Sequence, residues 1–111
     1  MARLEVVERG YAAVAAGDRE TLQKVFTPDA VWHLMDRDAV KRTIEGREAV
    51  VEFLLGFREL RLEAIMAHGR LVVAAHTYAR RRGDRTIATT LYEFRRGRVV
   101  SGVCQDAKRR R

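Results

Sequence analysis

The chain reads as an α+β domain in which a curved sheet folds around helices that precede it. Three observations predict this class. Apolar residues recur at helical spacing through the first half of the chain, and strict alternation takes over after Phe57. Gly17-Asp18 and Gly46-Arg47 punctuate the first half at helix boundaries. At 111 residues the chain is one domain. A chain of this length buries roughly 60–70% of its unfolded surface, enough for one modest core.

The elements follow in order. Leu4, Val7, Tyr11 and Val14 lie at i, i+3, i+7 and i+10, one face of a first helix. Gly17 suits the position after its end, and Asp18 suits the next N-cap. Leu22, Val25 and Phe26 form a short second stripe, which Pro28 is expected to stop. Residues 30–35 then read as a strand, and residues 36–45 as a polar loop with a minor strand. Val50, Phe53, Leu54 and Phe57 mark a third helix. Beyond it, Leu60, Leu62, Ala64 and Met66 alternate with Arg61, Glu63 and Ile65, predicting a strand over residues 59–68. Gly69-Arg70 is a tight turn before strands at 71–81, 85–95 and 98–106, with turns at Arg82-Gly83-Asp84 and Arg96-Gly97. Short turns between successive strands make the sheet mostly antiparallel. The domain is expected to end at residue 106, and residues 107–111 form a basic tail.

Composition narrows the function classes. Apolar residues at 47% and charged residues at 33% are ordinary for a globular protein. No run approaches the ~18 apolar residues of a membrane span, and Met1-Ala2-Arg3-Leu4-Glu5 lacks the apolar core of a signal peptide. Cytoplasmic residence is the expectation. The single cysteine, Cys104, excludes an internal disulfide and a cysteine-rich metal site. His33, His68 and His76 fall on separate elements without ligand spacing, and no glycine-rich loop leads from a strand into a helix. No metal or cofactor is expected.

The net charge is +7, and Lys108-Arg109-Arg110-Arg111 carry four of those charges. Such a tail is ordinarily solvated. Strand order brings it towards the hairpin tip with Arg80, Arg81, Arg82 and Arg85. One basic patch at that tip would attract nucleic acid or another polyanion through phosphate charge. No aromatic residues interleave with these arginines, so base stacking is not indicated.

The order and spacing of the motifs resemble a known family. Gly17-Asp18, Pro28-Asp29-Ala30-Val31-Trp32-His33, Gly46-Arg47-Glu48-Ala49-Val50, His76-Thr77 and Arg96-Gly97-Arg98-Val99 together resemble the SnoaL-like polyketide cyclases. These belong to the nuclear-transport-factor-2-like superfamily, with ketosteroid isomerases and limonene epoxide hydrolases. The resemblance implies a cone of three helices wrapped by a curved, mostly antiparallel sheet. It also implies a deep apolar pocket at the open end for a small apolar molecule, and a homodimer formed through the sheets.

The resemblance also supplies positions to test. The base of the isomerases falls at or near Leu34, their oxyanion acid at or near Thr90, and their tyrosine at Gly10, one residue before Tyr11. Neither acid is present, so ketosteroid isomerase activity is not expected. The Arg and Asp pair of the epoxide hydrolases is not visible at matching positions. The late acidic residue of the cyclases falls at Cys104, with Asp106 two residues on and on the same face if the strand is regular. His33 and His76 are the other polar candidates, because imidazole titrates near neutrality. Each is also readable as a space-filling strand histidine. Trp32, Tyr78, Tyr92 and Phe94 are expected to pack the core or line the pocket, and Tyr11 of the first helix reads equally as either. Cys104 reads as a buried small hydrophobe.

Two functions follow as expectations. One is proton transfer on a small apolar carbonyl or epoxide compound, carried by His33, His76 and Asp106. The other is a non-catalytic ligand-binding or interaction domain that lacks the acids of its relatives. An acid and an imidazole converging in the pocket would favour the first.

Overall fold

The computed structural model describes residues 1–80 and 84–107. Its helices are α1 (Arg3–Ala16), α2 (Arg19–Val25) and α3 (Arg47–Leu55). Its strands are β1 (Phe26–Asp36), β2 (Ala39–Glu45), β3 (Arg58–His68), β4 (Leu71–Ala79), β5 (Arg85–Arg95) and β6 (Arg98–Asp106). The six strands form one sheet in the order β2-β1-β6-β5-β4-β3. β1 and β6 run parallel, and every other neighbouring pair is antiparallel. Among the described residues no helix is long and apolar enough to cross a membrane.

The punctuation works as the residues dictate. Gly17 adopts the left-handed φ of 67° and returns its N–H to the carbonyls of Ala13 and Val14, closing α1. Asp18 then caps α2, accepting from the Thr21 N–H at 3.1 Å and the Thr21 hydroxyl at 2.6 Å. These bonds hold its carboxyl below the ordinary carboxylate range.

Three elements differ from expectation. Pro28 does not separate α2 from the next strand, because β1 begins immediately at Phe26. Proline is tolerated there because the pairing of β1 with β6 shifts register between Phe26 and Val31. Residues 39–45 form a full edge strand on β1, in which only Ile44 is buried. In β3, a register shift between Leu62 and Ala64 reverses the alternation. Ile65 therefore packs against the core, while Met66 is 62% exposed. The turn expected at residues 82–84 and the basic tail at 108–111 lie largely outside the described residues.

The core forms between the inner face of the sheet and the helices. Val6, Val7, Tyr11, Ala13 and Val14 of α1 are buried, as are Val50, Val51 and Leu54 of α3. Strand register lays three rows across the inner face. Trp32, Gly102, Tyr92 and Val72 form one row, and Leu34, Cys104, Thr90 and Ala74 the next. Asp106, Ala88, His76 and Leu62 form the third. Trp32 is 1% exposed and packs against Gly102, with Tyr92 edge-on at 5.7 Å. Its indole N–H has no protein acceptor, so packing area holds it in place.

A polar seam crosses this core. The Tyr92 hydroxyl donates to the Tyr11 hydroxyl at 2.7 Å, and Tyr11 lies 2.9 Å from His76 Nδ1. Tyr11 accepts from Tyr92, which leaves its own proton available to Nδ1; the imidazole tautomer that accepts there carries its proton on Nε2, which is buried without a partner among the described residues. Burial pushes both phenols up. Burial pulls His76 down, and the Asp106 charge offsets this only in part. All three groups stay neutral near pH 7.

Two predictions follow from this packing. A Cβ on Gly102 would lie 2.3 Å from Trp32 Cε3 and Cζ3. Gly102→Ala should cost about 1–3 kcal/mol of stability. It should also alter the fluorescence of the single tryptophan, and both effects are read in one urea titration. The second concerns acid. With its folded pKa depressed, His76 binds a proton more readily in the unfolded chain. Its contribution is complete above pH ~6.5 and is lost as pH falls below that, by at most about 1.4 kcal/mol per pH unit. Urea unfolding between neutral and mildly acidic pH should show a steeper loss in the wild type than in His76→Phe. Parallel curves would refute it.

Candidate functional site

Where β6 finishes and α3 runs into β3, an open cavity of about 460 Å³ separates the inner sheet face from the helix end. Each wall has a distinct origin. Phe53 comes from the last turn of α3, Gly56 and Phe57 from the connection into β3, and Arg58 from the first position of β3. Leu34, Cys104 and Asp106 come from the parallel pair β1 and β6, and Tyr78 and Ala79 from the end of β4. Aromatic edges build one side, with Phe57 at 5.4 Å from Phe53 and 4.8 Å from Tyr78 between ring centroids.

Asp106 is the carboxylate in this wall. Tyr78 donates its hydroxyl to Asp106 Oδ2 at 2.9 Å, and Arg80 donates to the same oxygen at 2.7 Å. Arg80 also donates to the Tyr78 hydroxyl at 3.2 Å. Partial burial pushes the Tyr78 phenol up. The Tyr78 oxygen and the Asp106 charge together raise the Arg80 guanidinium, so it stays charged. The Arg80 and Asp106 side chains are 55% and 41% exposed. Their ion pair contributes only about 0–1 kcal/mol. Its main effect is orientation: both donors hold Oδ2, and neither occupies Oδ1.

Cys104 borders the cavity two residues before Asp106, on the same face of a regular strand segment. Burial pushes its thiol up, with a smaller opposing effect from the Thr90 hydroxyl. It stays protonated near neutral pH and presents a small apolar surface. A separate void of about 30 Å³ lies deeper, beneath α1, bordered by Gly10, Tyr11 and Tyr92. It has room for about one water and no organic ligand.

The sequence candidates thus divide into three groups. Leu34, Cys104 and Asp106 meet in the cavity wall. Trp32, Tyr11, Tyr92, Thr90 and His76 are buried in the core behind it, and Phe57 and Tyr78 separate His76 from the opening at ring distances of 6.0 and 6.2 Å. His33 lies on the outer face. Trp32 and Leu34 point inward on a regular stretch of β1, so the residue between them points outward. There its Nδ1 lies 3.0 Å from the Thr43 hydroxyl. Among the described residues neither His33 nor His76 hydrogen-bonds to an acid; their partners are Thr43 and Tyr11.

The sequence does not place Phe53, Phe57 or Arg80 at the site, whereas Tyr78, expected to pack the core or line the pocket, lines the cavity. Tyr78 had a readable signal, since it lies two residues after His76 on an alternating strand. Arg80 and Arg85, expected in a basic patch, are engaged within the domain: Arg80 with Asp106, and Arg85 with Glu59 and Thr77. Arg81, Arg82 and residues 108–111 lie outside the described residues.

No curated protein matches the chain. Among solved structures, Bal32a from a soil-derived mobile gene cassette is 29% identical, with a TM-score of 0.82 over 96% of this chain and 89% of that one. An LEH-like epoxide hydrolase of M. tuberculosis is 19% identical, with a TM-score of 0.78 over 95% of this chain and 82% of that one. A de novo designed protein with a curved β-sheet reaches a TM-score of 0.78 at 20% identity, over 93% of this chain and 83% of that one. At such identities the last two likenesses speak for the fold alone. The model of the SnoaL-like domain matches residues 7–102, nearly the whole folded region, and the chain belongs to that family.

Proposed function

We propose that the cavity takes a small, mainly apolar molecule with a carbonyl or epoxide oxygen, and that Asp106 moves a proton on it. One observation carries this reading: a carboxylate oriented by Tyr78 and Arg80 sits in an otherwise largely apolar wall. Abstraction next to a carbonyl needs a base beside the carbon and a donor at the developing oxyanion. Asp106 supplies the base through Oδ1. Tyr78 and Arg80 are the nearby donors, and either can turn from Oδ2 to the substrate oxygen as charge develops. The leaving proton returns from Asp106 to the product.

A second reading is non-catalytic binding in the same cavity. It is favoured by the inner groups, since Tyr11, Tyr92, Cys104 and His76 are all shifted towards their neutral forms. The two readings separate in deuterium exchange. With a panel of small cyclic ketones in heavy water, the wild type should exchange α-protons faster than buffer, and Asp106→Asn should lower that rate by about 100-fold or more. Ketones that bind by calorimetry without exchanging would sink the catalytic reading and leave the binder.

We also infer a homodimer through the outer face of the sheet. Met66, Val73, Leu91 and Val103 are cross-strand neighbours in one row there, continued by His33 and Thr43. An apolar row of this kind suits an isologous contact, in which each copy offers the same surface. Light scattering should give a dimer for the wild type and a monomer for Leu91→Glu. A monomeric wild type would overturn the inference.

A further inference from the structure

A second concave surface lies at the other end of β6. It has a volume of about 330 Å³ and is bordered by Arg9 of α1, Lys24 and Thr21 of α2, and Arg96, Gly97 and Arg98 at the β5–β6 turn. It shares no residue with the cavity around Asp106, which lies eight residues further along the same strand.

The charge pattern here is unusual for a small domain. No carboxylate lines the groove, whereas ordinary surfaces intersperse both signs. Arg9, Arg96 and Arg98 make no ion pair among the described residues, and Lys24 reaches Glu20 only at 3.8 Å. Arg95 and Arg98 stand directly opposite each other in the ladder, a destabilising arrangement for like charges. Asp29 neutralises Arg95 and leaves Arg98 without an acid. Arg96 also occupies a left-handed φ of 52°, which costs a non-glycine residue free energy. Three segments distant in sequence thus bring four cations to one concavity.

The geometry points to this groove as a binding site for the di- or triphosphate group of a small molecule. Guanidinium forks bond phosphate oxygens in pairs, and the lysine adds a compact charge. The Thr21 hydroxyl, already bonded to Asp18, adds an acceptor and little more. The site is exposed, so affinity falls with salt as screening shortens the reach of each charge.

The test is an amide-shift titration with inorganic pyrophosphate at low salt, repeated with inorganic phosphate and adenosine diphosphate. Pyrophosphate should give saturable shifts clustered at Thr21, Lys24, Gly97 and Arg98. A tighter constant for adenosine diphosphate would place a nucleotide body in the groove. Equal constants would assign the recognition to the phosphates alone. Arg96→Gln with Arg98→Gln should weaken pyrophosphate binding about tenfold or more. Arg9→Gln with Lys24→Gln should do the same from the opposite wall, which keeps the test valid if the turn variant folds poorly. Arg61→Gln with Arg70→Gln removes equal charge elsewhere and should change binding by less than about twofold. Shifts scattered over the surface, an equal loss in that control, or binding to single-stranded DNA without binding to pyrophosphate would overturn the site.

Discussion

The contact on which the rest of the structure depends is the packing of the Trp32 ring against Gly102. Trp32 is the largest fully buried side chain, and it fits only because its neighbour on β6 has no Cβ. This match sets the register of the one parallel pair in the sheet. Once Trp32 faces Gly102, Leu34 must face Cys104. Two residues further along β6, Asp106 reaches the cavity on the same face. A slip of one residue would turn every inner side chain outward, and the carboxylate with them. A single packing event therefore positions the cavity carboxylate four residues beyond Gly102 along β6.

Burial then sorts the polar groups by what each tolerates. Inside the domain, phenols, thiol and imidazole all move towards the uncharged form, because taking a charge out of water costs more than the seam returns. Tyr92, Tyr11 and His76 Nδ1 bond one another as neutral groups, while His76 Nε2 is buried without a partner among the described residues. Charge survives only where solvent reaches it, as at Arg80 and Asp106. Ionised groups in this domain are thereby displaced from the interior to the rim.

Much of the fold was legible in the sequence, because helical and alternating periods are local signals and Gly17, Gly46, Gly69 and Gly97 mark their ends by backbone need. The bulges were not. Nothing in Leu62-Glu63-Ala64-Ile65 announces a register shift, since it arises from pairing with β4. The site was legible in part for the same reason. Asp106 followed from Cys104 by parity. The outward turn of His33 followed equally from Trp32, although a lone histidine beside a tryptophan invites a functional reading. The bond between Tyr11 and His76 joins residues 65 apart and has no local trace. Phe53 and Phe57 belong to the helical stripe by spacing, and only the path of the chain after Gly56 brings them to the cavity.

The departures from the isomerase pattern bear directly on how a ligand would be oriented in the proposed function. The resemblance puts the isomerase base at or near Leu34 and its oxyanion acid at or near Thr90, and both residues lie in the row one step deeper than Asp106. Leu34 and Cys104 make the inner part of the wall apolar, and the space deeper still is only about 30 Å³. A molecule in this cavity therefore finds its apolar contacts at the inner end and its polar partners at the outer one. Its reactive oxygen would face Tyr78 and Arg80 at the rim, the reverse of an arrangement with acids on the floor. Substrate length matters less under this constraint than the distance between an apolar body and one polar atom. Removing the rim carboxylate then removes chemistry while leaving the apolar contacts, which is why Asp106→Asn separates conversion from binding so cleanly.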